Sequence, residues 1–304
     1  MNRYWQTFFG TGLVKTAEDF GVQGDKASHP ELLDWLACEL REPTVPQLNV
    51  ANADEKNAWN VKHLVRLIVT SATYRQSSMV APGASERDPE NRLLARGPRY
   101  RLPSWMIRDQ ALAVCGLLVE KQGGPPVKGY QPAGIWEEAT FGAIRYQQET
   151  GEALYRRSLY QFWRRIVGPT IFFDVATRQS CQVKVARTNT PLQALVTLND
   201  VTYVEEARSL AQQMLLGSGA DDAARLTEAF RRCTCRSPKP QELALLTKRL
   251  QTVREAFSKD EAAAKKLIAV GDSKANEKLN PADLAAYTSV ITLLLNLDET
   301  ITKE

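Results

Sequence analysis

The segment that begins at Thr190 constrains the fold most, because it specifies a helix start residue by residue. Thr190 is a good N-cap, Pro191 suits the first helical position, and Gln193 lies three residues after the cap. This capping-box pattern leads into an apolar run and predicts that a helix begins at Pro191. Basic residues crowd the chain just upstream, namely Arg178, Lys184 and Arg187. We expect the rest of the chain to pack as a helical body around this segment.

Apolar periodicity predicts helices along most of the chain, and the fold class that follows is mainly α. Helices are expected over residues 2–9, from Pro30 past Leu40, and over 59–74, 104–121, 155–167, 191–216, 221–235, 238–258, 260–270 and from Pro281 to the C-terminus. Long polar loops separate several of them. The prediction is an irregular multi-helix domain with long ordered loops and at most one short β-hairpin, which would lie at 144–154.

Composition excludes several classes of protein. Apolar residues make up 43% of the chain and charged residues 24%, which is ordinary for a globular protein. The net charge of +4 over 304 residues is too weak to favour a dedicated nucleic-acid binder. No apolar run approaches the roughly 18 residues that a membrane span needs. The first residues lack the apolar core of a secretory signal, so the sequence as written is expected to stay in the cytoplasm.

The cysteines predict neither a metal site nor a haem. There are five of them, an odd count, and none forms a CxxC or CxxCH motif. We therefore expect no metal and no cofactor in this chain. Cys233 and Cys235 lie two positions apart in a predicted helix and point to different faces, which favours ordinary thiols over a redox pair.

Several motifs, taken in order, resemble a known family. They are Asn2-Arg3-Tyr4-Trp5, Phe9-Gly10-Thr11-Gly12, His29-Pro30-Glu31-Leu32-Leu33-Asp34-Trp35, Ser71-Ala72-Thr73-Tyr74-Arg75, Arg108-Asp109, Gly123-Gly124-Pro125, Tyr155-Arg156-Arg157-Ser158-Leu159-Tyr160, Phe173-Asp174, the segment 187–195 and Leu295-Asn296-Leu297-Asp298-Glu299. The chain resembles the planctomycete cytochrome-c-associated domain of unknown function, the PSD-one family (domain of unknown function 1553). The likeness covers most of residues 2–215 and the C-terminal end.

The resemblance implies a setting rather than a reaction, because this family has no established activity. Its members usually form the C-terminal part of longer exported chains, behind a c-type cytochrome-like region. The resemblance therefore implies an extracytoplasmic location, periplasmic or exported, which conflicts with the missing signal. It also implies a cytochrome-c-like domain or other exported proteins as partners. Haem c is expected only in an N-terminal region of the relatives.

Three positions depart from the family's pattern. Trp105 stands where relatives commonly carry a glutamate, so any catalytic role of that acid would be lost here. Ala176 stands where a proline is frequent. Val201 replaces the proline of a common Asn-Asp-Pro motif, so the helix is expected to run through Asp200 instead of restarting there.

The start of the Pro191 helix is the first candidate site. Free backbone N–H groups and the positive end of the helix dipole face the basic loop, an arrangement that suits a carboxylate, sulfate or phosphate. The alternative is that Asp174, Glu205 or Glu206 pairs with the arginines, so that the loop is only a structural staple. The candidate ligand site comprises Asp174, Arg178, Arg187, Thr188, Asn189, Gln193 and Asn199.

Isolated polar residues receive predictions from their position on helices. Asn199 shares a stripe with Leu192 and Leu195, so it should point inward, either orienting a ligand or satisfied by a loop backbone. His29 precedes a helix start and is expected to act as a cap rather than a base. His63 is expected on a polar helix face. No Ser-His-Asp order, HExxH motif or nucleophile elbow is present.

The predicted helix 155–167 carries arginines interleaved with aromatic residues, a combination that also binds single-stranded nucleic acid. Here the aromatic residues occupy the apolar positions of the helix, which favours a core role, and no nucleic-acid partner is expected.

The sequence thus predicts a PSD-one-type helical core over residues 1–216 and a C-terminal helical part over 217–304, together one family domain. Two functions remain open. The first is a non-catalytic binding or docking module of an exported assembly that handles electrons or polysaccharide. The second is an enzyme that acts on an acidic or sulfated glycan, with Asp174, Arg178 and Arg187 in its cleft. The absence of a nucleophile motif and the loss of the acid at Trp105 favour the first.

Overall fold

The computed structural model describes residues 1–45, 58–164, 166–175, 181–183, 187–217 and 221–303. The backbone divides into two compact units. Unit 1 comprises Met1–Tyr100, Cys181–Val185 and Thr302–Glu304, and unit 2 comprises Arg101–Ser180 and Ala186–Ile301. The units do not follow the boundary at residue 217, which stays a prediction about the family domain.

The described residues of unit 1 form the helices α1 (Asn2–Phe9), α2 (Pro30–Arg41), α3 (Val61–Thr70) and α4 (Ala84–Arg87). Its core gathers Trp5, Phe9, Leu36, Leu64 and Ile68. As predicted, α1 ends at Gly10, whose φ of 79° suits only glycine well. Trp35 is 43% exposed, because the helical turn that buries Leu36 points its neighbour outward.

A buried glutamate and histidine join α2 to α3 in unit 1. Glu39 Oε1 lies 2.9 Å from His63 Nε2, and the two side chains are 1% and 3% exposed. Glu39 also accepts hydrogen bonds from the backbone N–H groups of Thr44 and Val45 and from the Thr44 hydroxyl. Burial raises the pKa of Glu39, but these hydrogen bonds outweigh burial and lower it to about 2. The prediction that His63 lies on a polar face was wrong, because Glu39 gives its imidazole a partner inside the core.

Unit 2 contains the longer helices. They are α5 (Ser104–Val114), α6 (Ile135–Ala139), α7 (Pro191–Asn199), α8 (Val201–Gly217), α9 (Asp222–Thr234), α10 (Pro240–Lys259), α11 (Glu261–Ile268), α12 (Pro281–Leu295) and α13 (Asp298–Ile301). Two of them, α8 and α12, are buried along most of their length and pack against each other. Leu210, Met214, Leu284 and Tyr287 are fully buried within this core.

The helix predicted through Asp200 is in fact two helices. Asp200 has a ψ of 141°, so the backbone is extended between α7 and α8. Its Oδ1 accepts a hydrogen bond of 2.9 Å from the N–H of Thr202, and its carbonyl accepts one of 3.1 Å from the N–H of Val204. Asp200 therefore starts α8 as an N-cap, without the proline that relatives carry at the next position.

Residues 144–167 are where the predicted secondary structure was wrong. The hairpin at 144–154 does not form, and the helix at 155–167 is replaced by two short 3-10 helices, Gly151–Tyr155 and Ser158–Tyr160. Here the backbone bonds to neighbouring segments instead of to itself. The N–H of Val119 donates to Tyr155 O at 3.0 Å, and the N–H of Val127 donates to Tyr160 O at 2.7 Å. The helix predicted to reach Lys121 also ends earlier, at Val114.

The mainly α class is confirmed. Within the described residues, the only sheet has two short strands, β1 (Tyr100–Arg101) and β2 (Thr302–Lys303). None of the helices in the described part of the chain has both the length and the apolar character needed to cross a bilayer.

Candidate functional site

The start of α7 has the capping box that the sequence predicted. The N–H of Gln193 donates to Thr190 Oγ1 at 3.4 Å, and the N–H of Thr190 donates to Gln193 Oε1 at 3.2 Å. Pro191 occupies the first turn, where its missing N–H costs nothing. The side chains of Thr190 and Gln193 thus accept hydrogen bonds from two backbone N–H groups at the start of α7.

Asp174 supplies a negative charge at this helix start. Its carboxylate accepts hydrogen bonds from the Thr188 N–H at 3.0 Å, the Thr188 hydroxyl at 2.5 Å and Gln193 Nε2 at 3.0 Å. Gln193 Nε2 also donates to Thr188 Oγ1 at 2.7 Å, which closes the network. The anion site at α7 stays a prediction, and any incoming anion would compete with Asp174 for these donors.

The remaining predicted residues of this loop are only partly brought together. Arg101, which sequence reasoning did not select, donates from Nη1 to Asn189 Oδ1 at 2.8 Å, and its guanidinium lies 5.7 Å from the ring centre of Phe173. Arg187 is exposed. Arg178 and Lys184 lie outside the described residues.

The side of α7 that faces inward differs from the prediction. Asn199 is exposed and donates to Leu195 O at 2.8 Å, so its predicted inward orientation was wrong. Leu192 and Leu195 are exposed as well, whereas Gln193 and Thr197 are buried. The buried polar atoms are satisfied: Thr197 Oγ1 accepts a hydrogen bond of 2.8 Å from Asn296 Nδ2 of unit 2, and Gln193 takes part in the Asp174 network. The buried side of this helix therefore carries polar side chains that have hydrogen-bond partners, and not the leucines.

A cleft of about 390 Å³ opens beside α5 in unit 2. Aromatic and aliphatic side chains make up most of its wall, and a carboxylate and a guanidinium reach into it. We call it the aromatic cleft, and it is lined by Trp105, Asp109, Arg157, Ser158, Leu159, Gln161, Trp163, Phe172 and Val175. Trp163 and Phe172 pack with ring centres 5.9 Å apart. Clefts of this size and character are typical of sites for small ligands.

Asp109 is the fixed polar group of the aromatic cleft. Its Oδ1 accepts hydrogen bonds of 2.7 Å from both the N–H and the hydroxyl of Ser158. Its Oδ2 lies 3.8 Å from Nε of Arg157, whose side chain is mostly exposed. One carboxylate oxygen is thus committed to holding the Ser158 turn, while the other, beside Arg157, can accept hydrogen bonds from a ligand.

Two buried arginines hold the wall of the cleft. Arg108 donates to Arg156 O at 2.9 Å and to Leu154 O at 2.7 Å. The guanidinium of Arg156 stacks 3.8 Å from the ring centre of Tyr160 and donates to backbone carbonyls of the glycine-rich loop, those of Lys121, Gly123 and Pro125. Gly123 and Gly124 both have positive φ, which lets the loop close around the guanidinium. Three of the family motifs therefore meet in one structural unit.

A second cleft of about 590 Å³ adjoins the first. The two share Asp109, Arg157 and Leu159 as lining residues. Its wall is polar, and we call it the polar cleft. It is completed by Gln110, Leu118, Glu120, Lys121, Gln122 and Tyr160.

Sequence reasoning missed these clefts as a site. Asp109 and Ser158 are 49 positions apart, so no local pattern joins them. A signal was nevertheless present, because Arg108-Asp109 and the segment 155–160 both belong to the resembling motifs, and Trp105 is a departure from them.

Comparison with protein families identifies the chain. The family model described as PSD1, protein of unknown function (DUF1553), matches residues 1–250. The chain belongs to this family. Comparison with curated proteins gives no match, and comparison with solved structures also gives none. The matched range contains both clefts of this PSD1 chain and the start of α7, so the site residues lie inside the PSD1 domain.

Proposed function

We propose that this chain is a non-catalytic binding module whose ligand site is the aromatic cleft, and that the ligand is a saccharide. The observation that carries the proposal is the convergence of Trp105, Trp163 and Phe172 with Asp109 and Arg157 in one cleft. A sugar ring offers apolar C–H faces to aromatic rings and hydroxyl groups to a carboxylate and a guanidinium. The cleft provides partners for both.

The arrangement supports binding more than chemistry. Among the described residues that line the aromatic cleft, Ser158 carries the one hydroxyl, and it is already engaged. It donates to Asp109 at 2.7 Å and accepts from Arg108 Nη1 at 3.2 Å, so its hydrogen bonds hold the wall of the cleft. Neither cleft has a histidine or cysteine among its described lining residues. Trp105 also places an indole where relatives carry an acid.

The alternative, an enzyme acting on an acidic or sulfated glycan, has one observation in its favour. Asp109 and Glu120 both line the polar cleft, and glycoside hydrolysis uses two carboxylates. Incubation with uronic-acid and sulfated polysaccharides, followed by a reducing-end assay, tests this function. We expect no turnover; turnover abolished by both Asp109→Asn and Glu120→Gln would replace the binding proposal with the enzyme.

The proposal also covers the cellular location and the partners of the module. The family resemblance supports an exported assembly with a cytochrome-c-like domain, linked to electron transfer or polysaccharide breakdown. Cell fractionation with an antibody to this chain tests the location. Detection in the cytoplasmic fraction alone would contradict it.

The binding function is tested on an array of immobilised neutral, uronic-acid and sulfated oligosaccharides. Trp105 is 41% exposed and Trp35, which is not among the described lining residues of either cleft, is 43% exposed, so the two tryptophans form a matched pair. We expect Trp105→Ala to lose binding about tenfold or more, because ring stacking is lost, while Trp35→Ala binds like the native chain. Circular dichroism confirms that both variants fold. No binding by the native chain to any glycan, or an equal loss in both variants, would contradict the proposal.

A further inference from the structure

The two clefts are neighbours with chemically different walls, and together we call them the groove, with an aromatic half and a polar half. Asp109, Arg157 and Leu159 line both, so the two halves adjoin at these residues. Each half has a volume that accommodates a small ring, about 390 Å³ and about 590 Å³. A ligand confined to the aromatic half would leave the polar half unused.

The polar half offers hydrogen-bonding groups rather than stacking surfaces. Gln110, Glu120, Lys121 and Gln122 contribute amide, carboxylate and ammonium groups to its wall. The side chains of Lys121 and Gln122 are exposed and can turn toward a ligand. Such groups suit the hydroxyls of a second sugar linked to the first.

The formal charges along the groove cancel. Asp109 and Arg157 balance each other in the aromatic half. In the polar half, Glu120 and Lys121 add one further charge of each sign. A site for an acidic or sulfated chain would need an excess of cations, since each anionic group of the ligand must be matched. Two further cations, Arg108 and Arg156, are buried in the wall and donate to backbone carbonyls. Among the side chains that line the groove, charge complementarity therefore favours a neutral ligand.

The backbone turn that carries Arg157 and Leu159, where the two halves adjoin, is anchored at both ends. The Tyr160 hydroxyl accepts a hydrogen bond of 2.8 Å from the Gly123 N–H, and its ring lies against the Arg156 guanidinium. Asp109 is fixed by Ser158 on the other side. A preformed junction lowers the cost of ordering that a long ligand would otherwise incur.

Resting on the saccharide-binding function proposed above, we infer that the groove takes a neutral oligosaccharide of at least two linked sugars. One sugar stacks in the aromatic half, and the next hydrogen-bonds in the polar half. Asp109 and Arg157 contact both sugars near the linkage.

The experiment uses the full chain and immobilised gluco-, xylo- and manno-oligosaccharides of one to six sugars. Uronic-acid and sulfated oligosaccharides of the same lengths are printed at the same density. We expect neutral chains to bind better than charged chains at low salt, and the second sugar to raise affinity about fivefold. Trp105→Ala should weaken binding at every length. Gln122→Ala should remove most of the gain from the second sugar.

The outcomes separate the two proposals. No glycan binding, or binding indifferent to Trp105→Ala, overturns the binding function itself. Binding that depends on Trp105 but does not increase from one sugar to two overturns only the extended groove. A preference for uronic-acid or sulfated chains overturns the neutral ligand, and a Gln122→Ala variant that keeps the full length gain overturns the role of the polar half.

Discussion

Two equally buried glutamates, one from each unit, have pKa values that are shifted in opposite directions. Glu39 in unit 1 and Glu206 in unit 2 are each only 1% exposed. Glu39 accepts hydrogen bonds from Thr44, Val45 and His63, and its pKa falls to about 2. Both carboxylate oxygens of Glu206 are buried without a hydrogen bond from any described residue, and burial raises its pKa well above the usual range. Equal burial therefore accompanies pKa shifts in opposite directions, and the supply of hydrogen-bond donors decides the direction.

The difference in donors follows from the groups that surround each carboxylate. Glu39 lies near the end of α2, and the chain turns back after it, so the N–H groups of Thr44 and Val45 are available. Glu206 lies inside α8, where the surrounding N–H groups are used by the helix itself. Arg108 offsets the burial of Glu206 only in part.

The largest expected effect is that of Glu39→Gln. The amide cannot accept from all four donors and leaves N–H and O–H groups of this partly buried site unpaired. We expect the unfolding free energy of unit 1 to fall by about 4 kcal/mol at pH 7. Urea unfolding measures this, with Glu206→Gln as the matched control. Equal losses in the two variants would show that the glutamates do not differ.

The loss of unfolding free energy in acid should be almost as large as the effect of Glu39→Gln. Because the folded pKa of Glu39 is about 2 and its ordinary value is 4.5, its contribution is complete above pH 4.5 and is lost as the pH falls toward 2. The shift corresponds to about 3 kcal/mol. Unfolding free energies from pH 6 to pH 2 should fall steeply in the native chain and less steeply in Glu39→Gln. Parallel profiles would contradict the assignment.

A smaller effect is expected from removing one donor of Glu39. Thr44→Val deletes the hydroxyl that donates to Glu39 Oε2 at 2.7 Å but keeps the backbone N–H. We expect a loss of about 2 kcal/mol in unit 1, because the acceptor is charged. Thr7→Val is the control, since the exposed Thr7 hydroxyl bonds only to the Arg3 carbonyl of its own helix. A control that loses as much as Thr44→Val would show that the hydroxyl bond to Glu39 contributes little.

The smallest effect, and of opposite sign, is expected for Glu206→Gln. A carboxyl group with a raised folded pKa stabilises at low pH, and this contribution is lost as the pH rises above the unfolded pKa. Glutamine avoids that loss, although its amide is also buried, so the gain at pH 8 should be on the order of 1 kcal/mol. Thermal unfolding at pH 8 and pH 4 checks it; the variant should gain only at pH 8.

Much of the fold followed from local sequence signals. Starts at Asp221, Asp260 and Thr190 are confirmed, because each needs only a side chain that accepts hydrogen bonds from N–H groups of its own first turn. The secondary structure predicted for residues 144–167 was wrong because the hydrogen-bond partners of this backbone are distant in sequence. Arg108 and Val127 bond to it across more than 30 residues, and helical periodicity contains no information on such partners.

The candidate site was harder to predict for the same reason. Three of the residues grouped near Thr190, namely Asp174, Thr188 and Gln193, share a hydrogen-bond network, yet the sequence did not show that Asp174 already accepts hydrogen bonds from the other two. The clefts around Asp109 depend on Ser158 and Trp163, which only the folded chain brings near α5. Whether a polar cluster is closed or open depends on tertiary packing.

The break between α7 and α8 should make this chain sensitive to substitution of Asp200. A proline at position 201 would disfavour helical backbone at residue 200 and suit the first turn of α8, so it would favour a break here independently of the Asp200 side chain. This chain has Val201, and the Asp200 side chain caps α8. Replacing Asp200 by alanine should therefore favour one continuous helix, whereas in a Val201→Pro background the same substitution should keep the break and lose only the cap.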